Sequence, residues 1–174
     1  MILKGKLTVL RPITLKDAPR FVRWLADPAV NKFTTRSKAT LKEEVKWIRG
    51  LPKAKNSVNW AIDTKEGVHI GSIGLEFNKQ DKRAIYDILI GDKQYWSKGY
   101  GYDATKTLLD YAFKKLKLHR VSLSVYAYNE RAIKLYEKLG FKKFGIGREN
   151  IYYHHKFYNC VYMDMLNREW RAKG

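Results

Sequence analysis

The most constraining stretch of the chain is an unbroken order of strand, glycine-rich turn and helix in its second half. The run Ile85-Tyr86-Asp87-Ile88-Leu89-Ile90-Gly91 reads as a strand. It leads into Gln94-Tyr95-Trp96-Ser97-Lys98-Gly99-Tyr100-Gly101-Tyr102-Asp103-Ala104 and then into an amphipathic segment over residues 105–116. Glycines let a backbone take positive φ and approach a ligand closely. The first N–H groups of a helix have no acceptor within it, and with the helix dipole they favour an anion such as a pyrophosphate. The turn therefore reads as an anion cradle.

Hydrophobic periodicity and turn chemistry place the other elements. Residues 6–12 alternate as a strand closed by Pro12, and Thr14 caps a helix over about 15–26 with Phe21, Trp24 and Leu25 on one face. Asp27-Pro28 ends it, and residues 29–39 read as an irregular linker carrying Phe33, Thr35 and Arg36. Thr40 with Glu43 forms a capping box for a second helix, apolar at Val45, Trp47, Ile48 and Leu51. Strands follow at 58–64, 70–78 and 84–90, the first two joined by Lys65-Glu66-Gly67, short enough for a hairpin. After the glycine turn, Ala104, Leu108, Ala112 and Leu116 line one helix face, and residues 120–126 form a strand. Strand, helix and strand in that order make a parallel crossover. Asn129 caps a helix over 130–139 that Gly140 stops, and two strands at 141–147 and 157–166 are joined by a loop over 149–156. These elements predict one α/β domain over residues 1–174, with a mixed, mostly antiparallel seven-stranded sheet, helices on both faces and a central βαβ crossover.

Charge narrows the partners. Lys and Arg number 35 against 17 Asp and Glu, a net +18 that draws anionic ligands or surfaces. The charge is spread through helices rather than gathered in an arm, and neither zinc-finger spacing nor an aromatic RNP box occurs. No apolar run approaches membrane-spanning length, and the N-terminus lacks the apolar centre of a leader. The lone Cys160 sits in an apolar-aromatic strand and has no disulfide partner, so a cytoplasmic setting is expected. Adjacent His154 and His155 would point to opposite faces of a strand, so no metal site is expected.

Gly99-x-Gly101-x-x-Ala104 fits a dinucleotide fingerprint formally, but its context does not. Eight residues separate Ile90 from Gly99, the strand after the helix ends in Tyr126-Ala127-Tyr128 with no acid for a ribose, and no second mononucleotide half follows. A phosphate-binding P-loop fails because no Gly-Lys-Ser/Thr is present in the turn.

The downstream segment Asn129-Glu130-Arg131-Ala132-Ile133-Lys134-Leu135-Tyr136-Glu137-Lys138-Leu139-Gly140-Phe141, taken with Val121 to Val125 and with Tyr95-Trp96-Ser97-Lys98-Gly99-Tyr100-Gly101, resembles the GNAT superfamily of acetyl-CoA-dependent N-acetyltransferases. The opening Arg11-Pro12 and the Tyr-Trp-x-Lys-Gly-Tyr-Gly turn are similar to the branch of ribosomal-protein N-terminal and polyamine acetyltransferases. The resemblance implies direct attack of a primary amine on the thioester of acetyl-CoA, the cosubstrate, with no acyl-enzyme and no metal. It implies that the backbone around Trp96, Ser97, Lys98, Gly99, Tyr100 and Gly101 holds the CoA pyrophosphate, with Trp96 where Arg or Gln is commoner. Main-chain groups of Ile88, Leu89 and Ile90 would meet the pantetheine arm, and Asn129 and Tyr136 match the family's cofactor-contacting asparagine and tyrosine.

Residue chemistry fits these roles. Tyrosine has a reference pKa near 10 and a thiol near 8.5, so Tyr136 is protonated at neutral pH and can give a proton to the departing thiolate. Taken alone, Tyr136 also reads as a core aromatic between Leu135 and Leu139, and Asn129 as a plain helix cap. The branch often carries a glutamate where Ile85 stands, which leaves the base to Asp87, two residues on and on the same strand face, with Glu76 in reserve. An acceptor groove walled by Phe33, Arg36, Tyr152, Tyr153 and His155 is implied, for a peptide N-terminus or a small amine such as an amino sugar. That wall is aromatic rather than acidic, which disfavours a polycation. The basic surface suits association with a ribosome, in a monomer or homodimer. The competing expectation is a ribosome- or nucleic-acid-binding module on a degenerate acetyltransferase scaffold.

Overall fold

A computed structural model of the chain describes residues 1–34 and 39–172. They pack as two compact units, one of residues 1–76 and 87–108 and the other of residues 77–86 and 109 onward.

The first unit begins with β1 (Leu3–Lys4) and β2 (Thr8–Pro12), then a single 3-10 turn and α1 (Ala18–Ala26). Thr14 and Asp17 cap this start reciprocally, as Thr14 was expected to do. Asp27 ends α1 and caps the short α2 (Pro28–Asn31), accepting from Ala29 N at 2.9 Å. Residues 29–31, expected to be irregular, are thus helical, because Pro28 supplies a preset φ at the first helical position. The Thr40–Glu43 capping box opens α3 (Leu41–Gly50) as expected. β3 (Ser57–Thr64) and β4 (His69–Asn78) form an antiparallel hairpin from Ser57↔Glu76 to Asp63↔His69. β2 pairs antiparallel with both β1 and β3. Phe21, Trp24, Val30 and Ile48 are buried together, with Trp47, Leu89 and Trp96 packed against them. Beneath the strands, the Arg11 guanidinium donates twice to Asp17 at 2.8 Å and once to Asp63 at 2.6 Å. Burial pushes the Asp17 carboxyl up, but the bonds from Arg11 and Thr14 outweigh it and hold it at about 2.

The second unit is organised on strands. β5 (Arg83–Ile90) spans the boundary, and its first three residues run parallel to Arg120–Ser122 of β6 (Arg120–Tyr126). Between β5 and β6 lies α4 (Tyr100–Asp110), which passes into a π-helical turn (Tyr111–Lys115), so the crossover stands. α5 (Glu130–Leu139) is capped by Asn129 and stopped by Gly140. β7 (Lys142–Tyr153), β8 (Lys156–Leu166) and α6 (Asn167–Arg171) complete the chain. β8 pairs antiparallel with both β6 and β7, and the strand order is β1-β2-β3-β4-β5-β6-β8-β7. Phe113, Val121, Leu123, Met163 and Met165 are buried in this unit.

Three expectations need correction. The sheet has eight strands rather than seven, because residues 3–4 pair with residues 9–10, a ladder too short to leave a sequence pattern. The expected loop over 149–156 is mostly strand: β7 runs on to Tyr153 and turns through His154 and His155. Both histidines have positive φ, 47° and 58°, as a two-residue primed hairpin turn requires. Cross-strand pairing overrides the polar composition, absorbing its misfit in a register shift between Gly147 and Ile151. Finally, α4 starts at Tyr100 and not near residue 105, so Gly101 and Asp103 belong to its first turn.

Candidate active site

In the first unit the segment between β5 and the glycines is tied down by hydrogen bonds and packing. Asp92 caps a 3-10 turn over Lys93–Tyr95, and Trp96 then folds back so that its Nε1 donates to Ile90 O at 2.7 Å. The indole rests on the buried aliphatic and aromatic cluster and meets the Phe33 ring edge-on at 6.4 Å. Trp96 thus works as a strut for the turn. Ser97 and Gly99 both take positive φ, 59° and 88°, the second strained for any residue with a Cβ. α4 follows at once, and the Asp103 N–H closes its first turn onto Gly99 O at 2.9 Å. The N–H groups ahead of Asp103 therefore lie at the positive end of an 11-residue helix.

Asp87 and Glu76 are also in this unit. They line an open cavity of about 430 Å³ together with Lys55, Asn56, Ser57, Asn59 and Leu75. Gly74 lies next to two of these residues: a Cβ there would strike the Asn59 side-chain oxygen and come within 2.8 Å of Asp87 Oδ1. The missing side chain is what lets an amide and a carboxylate converge. Asp87 is exposed as a residue, but the atoms crowding its carboxyl strip part of its hydration and raise it above the usual range, and the charge of Glu76 raises it further. A carboxylate in a concavity can touch water and still lose much of its hydration shell, which disfavours its charged form. Sequence reasoning named both acids but missed Asn59 and Gly74, whose roles depend on the β3–β4 register.

The second unit holds Asn129 and Tyr136 on α5. The Asn129 side chain accepts from Ala132 N at 3.3 Å, so it caps the helix. Tyr136 is 7% exposed, its ring meeting Tyr86 at 5.9 Å and Phe141 at 5.8 Å. Farther along, Tyr128 is surrounded by Tyr126, Tyr153 and Tyr158, with ring centroids 5.4, 6.4 and 4.8 Å away. Burial, then the neighbouring phenols, push the Tyr128 hydroxyl well above its ordinary value. Tyr152 is 62% exposed and packs on Phe157 at 4.9 Å, while His155 occupies the hairpin turn. The expected acceptor wall is thus divided by unit: Phe33 belongs to the first, and Tyr152, Tyr153 and His155 to the second. Arg36 lies outside the described residues. Cys160 is buried, and burial raises its thiol, which is the state of a core residue rather than a nucleophile.

Known proteins place the chain in a family. Residues 8–142 match the family model of the acetyltransferase (GNAT) domain. The chain is 29% identical over 169 residues to the uncharacterized N-acetyltransferase p20 of Bacillus licheniformis, covering 92% of this chain and 93% of that one. It is 31% identical over 109 residues to the spermidine N(1)-acetyltransferase of Escherichia coli (strain K12), covering 62% of this chain and 58% of that protein. A spermidine N-acetyltransferase from Vibrio cholerae, solved in complex with CoA and spermine, superposes with a TM-score of 0.89 at 20% identity, covering 96% of this chain and 99% of that chain, a likeness of fold. The chain belongs to the GNAT acetyltransferase family and is an N-acetyltransferase that draws its acetyl group from acetyl-CoA.

Proposed function

We propose that the chain acetylates a small primary amine that enters the Asp87–Glu76 cavity as a cation and is deprotonated there before attack. The observation carrying this reading is the convergence of Asp87 and Asn59 over Gly74 beside Glu76. In a molecule of net +18, two carboxylates facing one cavity make a local site for a cation against the general field. An ammonium has no lone pair for the thioester, so a proton must leave first. A carboxylate with a raised pKa accepts that proton more readily than an ordinary one. Asp87 receives it directly or through one water, Asn59 orients the amine, and Glu76 strengthens the field.

Acetyl-CoA lies with its pyrophosphate on the backbone of residues 96–101 at the start of α4, and the main chain of Ile88, Leu89 and Ile90 offers partners to the pantetheine arm. Asn129 serves the cofactor while capping α5. Tyr136 donates its phenolic proton as the thiolate departs. The protons balance as follows: the ammonium gives one to Asp87, the freed amine nitrogen bonds to the acetyl carbon, the carbon–sulfur bond breaks as the sulfur takes the tyrosine proton, the second proton on nitrogen passes through water to the Tyr136 phenolate, and Asp87 releases its proton to solvent.

The relatives include proteins named for spermidine, and the acidic cavity supports an amine of that cationic character better than the aromatic wall expected from sequence. A screen of polyamines, amino sugars, simple amines and N-terminal peptides, reading CoA release, tests the proposal. Turnover of a small cationic amine is expected, and its suppression by Asp87→Asn ties it to this cavity. Turnover confined to peptides would contradict the acceptor class.

A further inference from the structure

The family chemistry leaves Asp103 unused, yet it is among the most heavily bonded side chains of the first unit. It stands in the first turn of α4, where a carboxylate complements the helix dipole but also competes with any anion placed there. Its oxygens do something else. Oδ1 accepts from Lys6 N at 2.8 Å, and Oδ2 accepts from Leu7 N and Thr8 N at 2.9 Å and from Thr8 Oγ1 at 2.7 Å. Burial would raise this carboxyl, but the four bonds outweigh it and keep it ionised.

The segment so captured is the bend between β1 and β2, and it fits closely against α4. A Cβ on Gly5 would collide with Asp103 Oδ2 and would lie 2.6 Å from Thr107 Oγ1. Leu7 reaches the turn itself, its Cδ1 3.4 Å from where a Gly99 Cβ would be. One carboxylate therefore ties residues 6–8 to the helix start and sets Leu7 against Gly99.

We propose that Asp103 is a positioning residue for acetyl-CoA: it latches residues 5–8 to α4 and so fixes the backbone of the glycine turn in the shape that receives the pyrophosphate. Its negative charge is spent on four donors, which removes most of its repulsion toward the phosphates. The inference rests on the placement of acetyl-CoA proposed above, and the test separates the two.

Calorimetric titration of the full chain with acetyl-CoA is run on wild type, Asp103→Asn, Thr8→Val and Gly5→Ala, with steady-state kinetics on each. Asparagine offers one acceptor oxygen and turns an NH2 toward backbone donors, so affinity should fall about tenfold, consistent with loss of charge-assisted bonds. Thr8→Val removes one donor of four and should cost about threefold. Gly5→Ala keeps the charge but wedges the latch and should resemble Asp103→Asn. In each, KM for acetyl-CoA should rise by more than kcat falls; destabilisation alone lowers the active fraction without that split. If Asp103→Asn fails to fold, the other two variants decide. Wild-type binding with unchanged affinity in the folded variants overturns the latch. Failure of the wild type to bind overturns the cofactor assignment and the latch with it.

Discussion

Two aspartates in the same compact unit have been moved in opposite directions. Asp103, at the glycine turn, accepts four hydrogen bonds and is held below the ordinary carboxylate range. Asp87, on the cavity wall, is raised by the hydration its carboxyl loses and by the charge of Glu76. The difference lies in donors rather than in depth. A carboxylate given several N–H and O–H partners stays charged and serves as a fixed strut, whereas one beside a second carboxylate is poised to take a proton. One region is built to hold a shape and the other to move a proton.

The comparison breaks first at Asp87. Asp87→Asn removes the acceptor but keeps the size, and kcat/KM for the amine should fall by about a hundredfold or more, within the usual range for a general base. A loss under threefold, read from CoA release, would assign the proton to water alone. Tyr136→Phe comes next, with kcat reduced by roughly ten- to a hundredfold and acetyl-CoA affinity little changed. An equal fall in affinity would make Tyr136 a packing residue between Tyr86 and Phe141.

Smaller effects sharpen the contrast. Glu76→Gln removes the negative neighbour, so the Asp87 carboxyl should drop and the acidic limb of the pH–rate profile should move to lower pH. A limb that stays in place would mean that lost hydration alone sets it. The least effect on activity belongs to Asp17, whose folded-state pKa of about 2 lies below its ordinary value of 3.8. The stability it contributes is therefore present above about pH 4 and disappears as pH falls toward 2. Asp17→Asn should flatten acid unfolding in that window, followed by circular dichroism.

Much of this was legible in the chain. The apolar run over residues 84–90 gave β5 and put Asp87 on the same face as Ile85, and the Asn129 cap with its Gly140 stop fixed α5 to the residue. What escaped depended on pairing between distant segments. Asn59 and Gly74 matter only because β3 and β4 register Asn59 against Gly74. Asp103 stands in the sequence only as one residue of the glycine turn, and nothing local says that residues 6–8 will present four donors to it. The hairpin at His154 and His155 was hidden because its polar residues carry the composition of a loop while β8 supplies the pairing. The cavity shared by Glu76 and Asp87 likewise needed the fold, because the two acids and Asn59 lie on three different strands.

The pH dependence of kcat/KM for the preferred amine, compared between wild type and Asp87→Asn, tests the central claim most directly. In the wild type the rate should rise with pH through the raised carboxyl of Asp87, above the ordinary carboxylate range, because only its ionised form accepts the proton. In Asp87→Asn that acidic limb should vanish, leaving only the rise set by the amine itself. An identical acidic limb in both proteins would contradict the assignment of Asp87 as the group that deprotonates the acceptor.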